Sequence, residues 1–133
     1  MLGELISEGS GKRTGRRVVS VSPQTVVEVS FEDLGKMLGV DGMNIGTYTS
    51  IPRPDGSLHG DGQGVFATQS GDMVTWRGIG VGRFGERGAI SYRGALTYST
   101  SSPTFARLNG IAGVFEFEVD AAGNTHSKTW EWK

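Results

Sequence analysis

Apolar and polar residues alternate through much of this chain with a period of two, the period of a β-strand. The clearest case is Val114–Val119, where Phe115, Phe117 and Val119 share one face and Glu116 and Glu118 take the other. The runs 25–31, 65–68 and 90–100 are similarly rich in Val, Ile, Thr, Tyr and Phe, residues that suit a pleated, half-buried surface. Turn signals divide these runs: Ser22-Pro23, Arg53-Pro54-Asp55-Gly56, Ser70-Gly71-Asp72, Gly85-Glu86-Arg87-Gly88, Ser101-Ser102-Pro103 and Asp120-Ala121-Ala122-Gly123-Asn124. About eight strands at regular spacing with short connections predict an all-β fold, an antiparallel up-and-down barrel whose closure removes exposed edges.

Two places compete with this pattern. Phe31, Leu34 and Leu38 have helical spacing, but Gly35 and Gly39 interrupt it and favour a strand, a turn and a second strand. Asn109-Gly110 is a strong two-residue turn signal and would divide a strand running from Phe105 to Val119, raising the count to nine. Lys12, Arg13, Arg16 and Arg17 fall on both faces of any strand, so this segment reads as a solvated strand or hairpin end.

Composition narrows the function classes. A chain of 133 residues reads as a single domain spanning 1–133, large enough to bury roughly two-thirds of its unfolded surface. The absence of cysteine removes disulfides, thiolate metal ligands and cysteine nucleophiles, and suits a reducing compartment. The amino terminus lacks a signal-peptide pattern, and no stretch approaches the roughly 20 apolar residues of a membrane helix. A cytoplasmic location without a membrane partner is therefore expected. With 13 Lys and Arg against 14 Asp and Glu, no global field attracts a polyanion, and nucleic acid is not an expected partner.

Glycine changes the picture, because its 22 copies are placed with strand period: Gly60, Gly62 and Gly64, then Gly78, Gly80 and Gly82. Alternate glycines within strands mark bending or close approach of other groups. A tight turn at Ser70-Gly71 would set Gly78, Gly80 and Gly82 opposite Gln63, Asp61 and His59, Trp76 opposite Val65, and Arg93 near Gly80. Small residues would then leave a hollow lined by His59, Asp61, Gln63, Trp76 and Arg93. The opposite face would carry Leu58, Phe66, Ile79, Val81, Ile90, Tyr92, Leu96 and Tyr98, with Arg77 and Arg83. The competing arrangement has the apolar set filling the lumen and the polar row facing water, the common antiparallel pattern.

Other motifs carry less. Gly80-Val81-Gly82-Arg83-Phe84-Gly85 satisfies G-x-G-x-x-G, but that loop binds dinucleotides where a helix follows, and here another turn and strand follow. Gly9-Ser10-Gly11-Lys12 lacks the earlier glycine of a phosphate loop, and Arg13 stands where a magnesium-binding hydroxyl belongs. His59 and His126 are the only histidines and would need carboxylates from other strands to hold zinc, so neither a metal nor another cofactor is expected. No serine sits in a G-x-S-x-G elbow. Trp130 and Trp132 share a face with Lys128 near the carboxy terminus, and this aromatic strand with the near-zero charge points to a homo-oligomer, dimer or trimer.

The phrases His59-Gly60-Asp61-Gly62-Gln63-Gly64-Val65, Gly80-Val81-Gly82-Arg83-Phe84, Tyr92-Arg93-Gly94, 108–116 and 128–133 resemble a family of uncharacterised small prokaryotic proteins. That resemblance brings no activity. The Leu-x-Gly-x-x-Gly-x-Phe pattern from Leu108 to Phe115 also resembles the last barrel strands of allene oxide cyclase and dirigent proteins. It implies an oligomeric eight-stranded barrel that holds an apolar small molecule in its lumen and guides cyclisation mainly by shape. No functional residue of that group matches a position here.

Together these readings favour a barrel that binds a small, largely apolar molecule and acts as an isomerase or cyclase by enclosing a reactive conformer. His59 or Asp61 would transfer protons, Arg93 would meet a carboxylate or enolate, and Gln63, Trp76 and Tyr92 would bind the ligand. The alternative is a non-catalytic carrier or a packed structural oligomer, since eight strands sit at the size where a lumen is either filled or occupied.

Overall fold

The computed structural model describes residues 1–133. Every strand pairs antiparallel with its sequence neighbour, and the last pairs with the first, so the expected all-β barrel of eight strands is what the chain forms. The strands are β1 (Leu2–Ser20), β2 (Val26–Met37), β3 (Val40–Pro52), β4 (Leu58–Thr68), β5 (Met73–Phe84), β6 (Ile90–Ser99), β7 (Ala112–Val119) and β8 (Asn124–Trp132). Two 3-10 segments, Glu86–Gly88 and Pro103–Gly110, interrupt them.

The hairpin loops set the register. Four connections have three residues with glycine last: Pro54-Asp55-Gly56, Gln69-Ser70-Gly71, Glu86-Arg87-Gly88 and Ala121-Ala122-Gly123. Each glycine has positive φ, between 83° and 92°, the left-handed conformation that closes a three-residue loop with a bulge. Backbone bonds seal each loop, such as Thr68 N–H to the Asp72 carbonyl at 2.9 Å. A three-residue loop pairs positions of equal parity. The even-numbered residues of β3, β4, β5 and β6 therefore all face the lumen, with Tyr48 opposite Gly62, Gly64 opposite Trp76 and Gly80 opposite Gly94.

This corrects the expected register by one residue. A two-residue turn at Ser70-Gly71 would have set Gly80 against Asp61; the observed loop sets it against Gly60. The glycine rows consequently face inward with Leu58 and Phe66, and the polar row faces outward. Ile79 and Val81, expected beside Tyr92 and Leu96, lie on the outer wall and are exposed. Gly35 does not break a strand either: β2 continues to Met37, and Leu38-Gly39 makes the two-residue turn with φ of 50° and 81°. Asn109-Gly110 divides no strand, because Phe105 to Gly110 lie within the second 3-10 segment. The basic segment of β1 does form a hairpin end: beyond Lys12 it pairs only with β2 and projects past β8.

The interior has two packed layers. At the end holding the chain termini, the second 3-10 segment covers the barrel, and Phe105 and Leu108 are wholly buried among Ile6, Met37, Phe66, Val74 and Tyr98. Arg107 ties that cover to β8 and β1 through Glu131 at 3.0 Å and through Glu4. At the other end Phe31, Leu58, Tyr92, Phe117 and Val119 pack together with Tyr48 alongside, and Trp76 touches both layers. Ring centroids lie 4.8 Å apart for Phe31 and Phe117 and 5.5 Å for Tyr48 and Tyr92.

Inward glycines seat these rings. A Cβ at Gly46 would fall 2.6 Å from Phe31, one at Gly82 would fall 2.6 Å from Tyr92, and one at Gly64 would strike the Trp76 indole and lie 2.6 Å from the Ile45 carbonyl. We predict that Gly64→Ala, which overpacks this seat, costs on the order of 1–3 kcal/mol in denaturant unfolding. Gly15→Ala, where a Cβ meets nothing within 4 Å, should stay within about 0.5 kcal/mol of the parent. Equal effects at the two positions would remove ring seating as the reason for the glycines.

Candidate functional site

Between the two packed layers lies a cavity of about 110 Å³. A single enclosed water needs only about 10–15 Å³, so there is room for a small organic molecule. Eight aromatic side chains contribute to the wall: Phe31 from β2, Tyr48 from β3, Phe66 from β4, Trp76 from β5, Tyr92 and Tyr98 from β6, and Phe115 and Phe117 from β7. The polar lining comes from Ser7, Asp33, Asn44, Ser127 and Thr129, with Glu8, Lys36 and Asp61 bordering the cavity from outward strand positions. Gly9, Gly35, Gly60, Gly62, Gly78 and Gly80 complete it, their missing side chains leaving backbone as wall.

Asp33 is the ionisable carboxyl of this chamber and is only 6% exposed. It occupies an inward position of β2 because the alternation Val29, Phe31, Asp33, Gly35, Met37 continues unbroken through it. Space for it comes from β1, where a Cβ on Gly9 would lie 2.6 Å from its Oδ1. Its cross-strand partner is Asn44, whose Oδ1 accepts the Trp76 Nε1–H at 2.8 Å. That bond orients the Asn44 amide and leaves its N–H₂ for the carboxyl side. Oδ2 of Asp33 is fully enclosed without a hydrogen-bond partner. Burial lifts the carboxyl from 3.8 to about 6, with Asn44 pulling the other way. Burial likewise raises the phenols of Tyr48, Tyr92 and Tyr98, the last to about 12. Tyr92 donates its hydroxyl to Ser50 Oγ at 3.1 Å.

The residues expected from sequence divide into two groups. Trp76 and Tyr92 line the cavity, and Asp61 borders it from an outward position of β4. His59, Asp61, Gln63 and Arg93 occupy outward positions, so the hollow expected among them is not formed. Odd-numbered positions of β4 and β6 point away from the lumen, which is the physical reason. Arg93 lies between the carboxylates of β7, 2.7 Å from Glu118 and 3.8 Å from Glu116, on the exposed wall. Such a pair adds at most about 1 kcal/mol. His126 also faces outward, 3.0 Å from the Ser10 hydroxyl, and β5 leads from Gly80-Val81-Gly82 into the Glu86–Gly88 turn rather than a phosphate-binding helix.

Asp33 went unnoticed in the sequence because the helical spacing of Phe31, Leu34 and Leu38 obscures the period of two. The usable signal was the odd-numbered row itself, which places Asp33 between Phe31 and Met37 and sends Leu34 outward, where it is 65% exposed.

No protein-family model matches this sequence, and no curated protein matches it. Solved structures do. A conserved protein of unknown function from Rhodopseudomonas palustris superposes with a TM-score of 0.79 at 15% identity, covering 98% of this chain and 97% of its own. A β-barrel-like protein from Acinetobacter baumannii gives 0.81 at 12% identity, with 98% and 94% covered. An enzyme from Penicillium herquei gives 0.70 at 15% identity, with 96% and 92% covered. At these identities the likeness is one of fold, shared over nearly the whole length.

The Asp33 shift fixes a pH dependence. A carboxyl whose folded pKa exceeds its unfolded one is neutral and harmless below pH 3.8, and its burden grows as pH rises through about 6. Above that it amounts to about 3 kcal/mol. We expect Asp33→Asn to melt several degrees higher than the parent at pH 8 and to close most of that gap at pH 4, as read by thermal unfolding. A gap that is the same at both pH values would show that Asp33 is not destabilised by charge burial.

Proposed function

We propose that this protein is a small-molecule-binding barrel that encloses a compact, largely apolar ligand in its lumen. The observation that carries the reading is the 110 Å³ cavity, bounded by an apolar packed layer toward each end of the barrel and supplied with one buried carboxyl. Apolar walls with few, placed polar groups are the usual make-up of a ligand site. The finer reading is an isomerase or cyclase. Enclosure holds the ligand in a reactive shape, and Asp33, poised near neutrality by burial, exchanges the proton. The role first expected of His59 or Asp61 passes to Asp33 because proton transfer needs hydrogen-bond reach of the ligand. The resemblance to allene oxide cyclase and dirigent barrels supports this reading, as does the presence of an enzyme among the structural neighbours.

Ser127 faces the chamber from β8, opposite Phe117. Ser127→Leu should fill the space and abolish thermal stabilisation by any compound that stabilises the parent. His59→Ala, Asp61→Ala and Arg93→Ala on the outer wall should leave that stabilisation intact. Retained binding in Ser127→Leu, or loss in the outer-wall variants, would move the site out of the lumen. Bound compounds recovered chemically unchanged after long incubation would make the protein a carrier rather than a catalyst.

A further inference from the structure

The inward-facing side chains of the chamber include a carboxylate but no cation, since Lys36, which borders it, stands at an outward position of β2. From β1, the positions facing Asp33 are Gly9 and Gly11; from β3, the facing side chain is the uncharged Asn44. On β2 itself Glu32 and Lys36 point outward, and Lys36 pairs with Asp41 at 2.8 Å on the surface. Arg13 stands at an inward position opposite Phe31, yet its guanidinium lies over Gly123 at the barrel rim. Arg16, the next inward cation, is opposite Val29 and farther toward that rim. The other titratable side chains at inward positions of the lining are the hydroxyls of Tyr48, Tyr92 and Tyr98; Glu8, Lys36 and Asp61 border it from outward positions.

We infer that the ligand is a protonated amine: a compact apolar body with one ammonium group that pairs with Asp33 against the aromatic wall. This deepens the lumenal-binding reading and rests on it. A buried carboxylate with an unpartnered oxygen is costly to fold around unless a cation arrives to meet it. Rings present a negative face to cations, and Phe31, Tyr48, Trp76 and Phe117 share the chamber with Asp33. One ligand feature therefore satisfies both parts of the site. An anionic ligand would meet like charge, and an uncharged one would leave the carboxylate unanswered. With Asp33 near 6, the charge is present at neutral pH and largely absent at pH 5.

The test compares benzylamine with benzyl alcohol, a neutral molecule of nearly equal shape, by calorimetry on the full chain. At pH 7.5 the amine should bind at least about tenfold tighter than the alcohol, the margin of one good charge contact. In Asp33→Asn, checked for its β spectrum, that preference should vanish while the alcohol binds as before. The unmutated protein supplies the same comparison without substitution, since its preference should shrink about tenfold at pH 5 as Asp33 takes up a proton. Equal affinities at pH 7.5, or a preference that survives both Asp33→Asn and pH 5, would overturn the amine inference and leave lumenal binding standing. Binding of both probes that persists in Ser127→Leu would instead overturn the lumenal reading. Failure of both probes to bind the parent would count against both readings.

Discussion

The constraint on which the rest of this structure depends is the fit of large rings inside a narrow barrel. Eight strands enclose just enough space for side chains to fill. This chain spends that space on Phe31, Tyr48, Phe66, Trp76, Tyr92, Tyr98, Phe115 and Phe117, and several of these rings lie directly against glycine. Gly46 and Gly64 take the indole of Trp76, Gly60 and Gly82 take Tyr92, and Gly80 and Gly94 take Phe115. Glycine costs backbone entropy in a strand. Ring burial and edge-to-face contact offset it, because each aromatic side chain brings a large apolar area.

The inward glycines also leave room for a chamber between the layers. Where no ring lies over the glycines, as at Gly9, Gly35 and Gly62, the lining is backbone, with short side chains at Ser127 and Ser7 beside it. The glycine rows thus do two things in one register, carrying rings where a ring lies over them and leaving space where none does. Asp33 enters the chamber by the same geometry, its carboxyl occupying room that any side chain at Gly9 would take.

Inside and outside divide the chemistry sharply. The outer wall holds the ion pairs, Arg17 with Glu28, Lys36 with Asp41 and Arg93 with Glu116 and Glu118, all exposed and individually weak. The lumen holds one buried carboxyl, pushed up by burial to about 6. Perturbed groups in enclosed chambers are where function is looked for first, and here the perturbation and the chamber coincide.

By itself the sequence determined the class of fold. The period of two from Val114 to Val119, the turn residues and the strand-spaced glycines admit little but an antiparallel sheet, and closure follows from the need to cover its edges. Trp76 and Tyr92, expected from the sequence to shape a cavity, do line the one the structure contains. Which face pointed inward was decided only in the tertiary structure. The faces of β4 and β5 differ by a single residue of register, and that register hung on whether the loop at Gln69-Ser70-Gly71 held two residues or three. The third residue, a glycine at φ 92°, moved His59, Asp61, Gln63 and Arg93 outside and brought the glycine rows within. Asp33 became notable on the same ground: a lone acid in an alternating strand is unremarkable until packing shows that its neighbours on that face are Phe31 and Met37 and that no cation stands across from it.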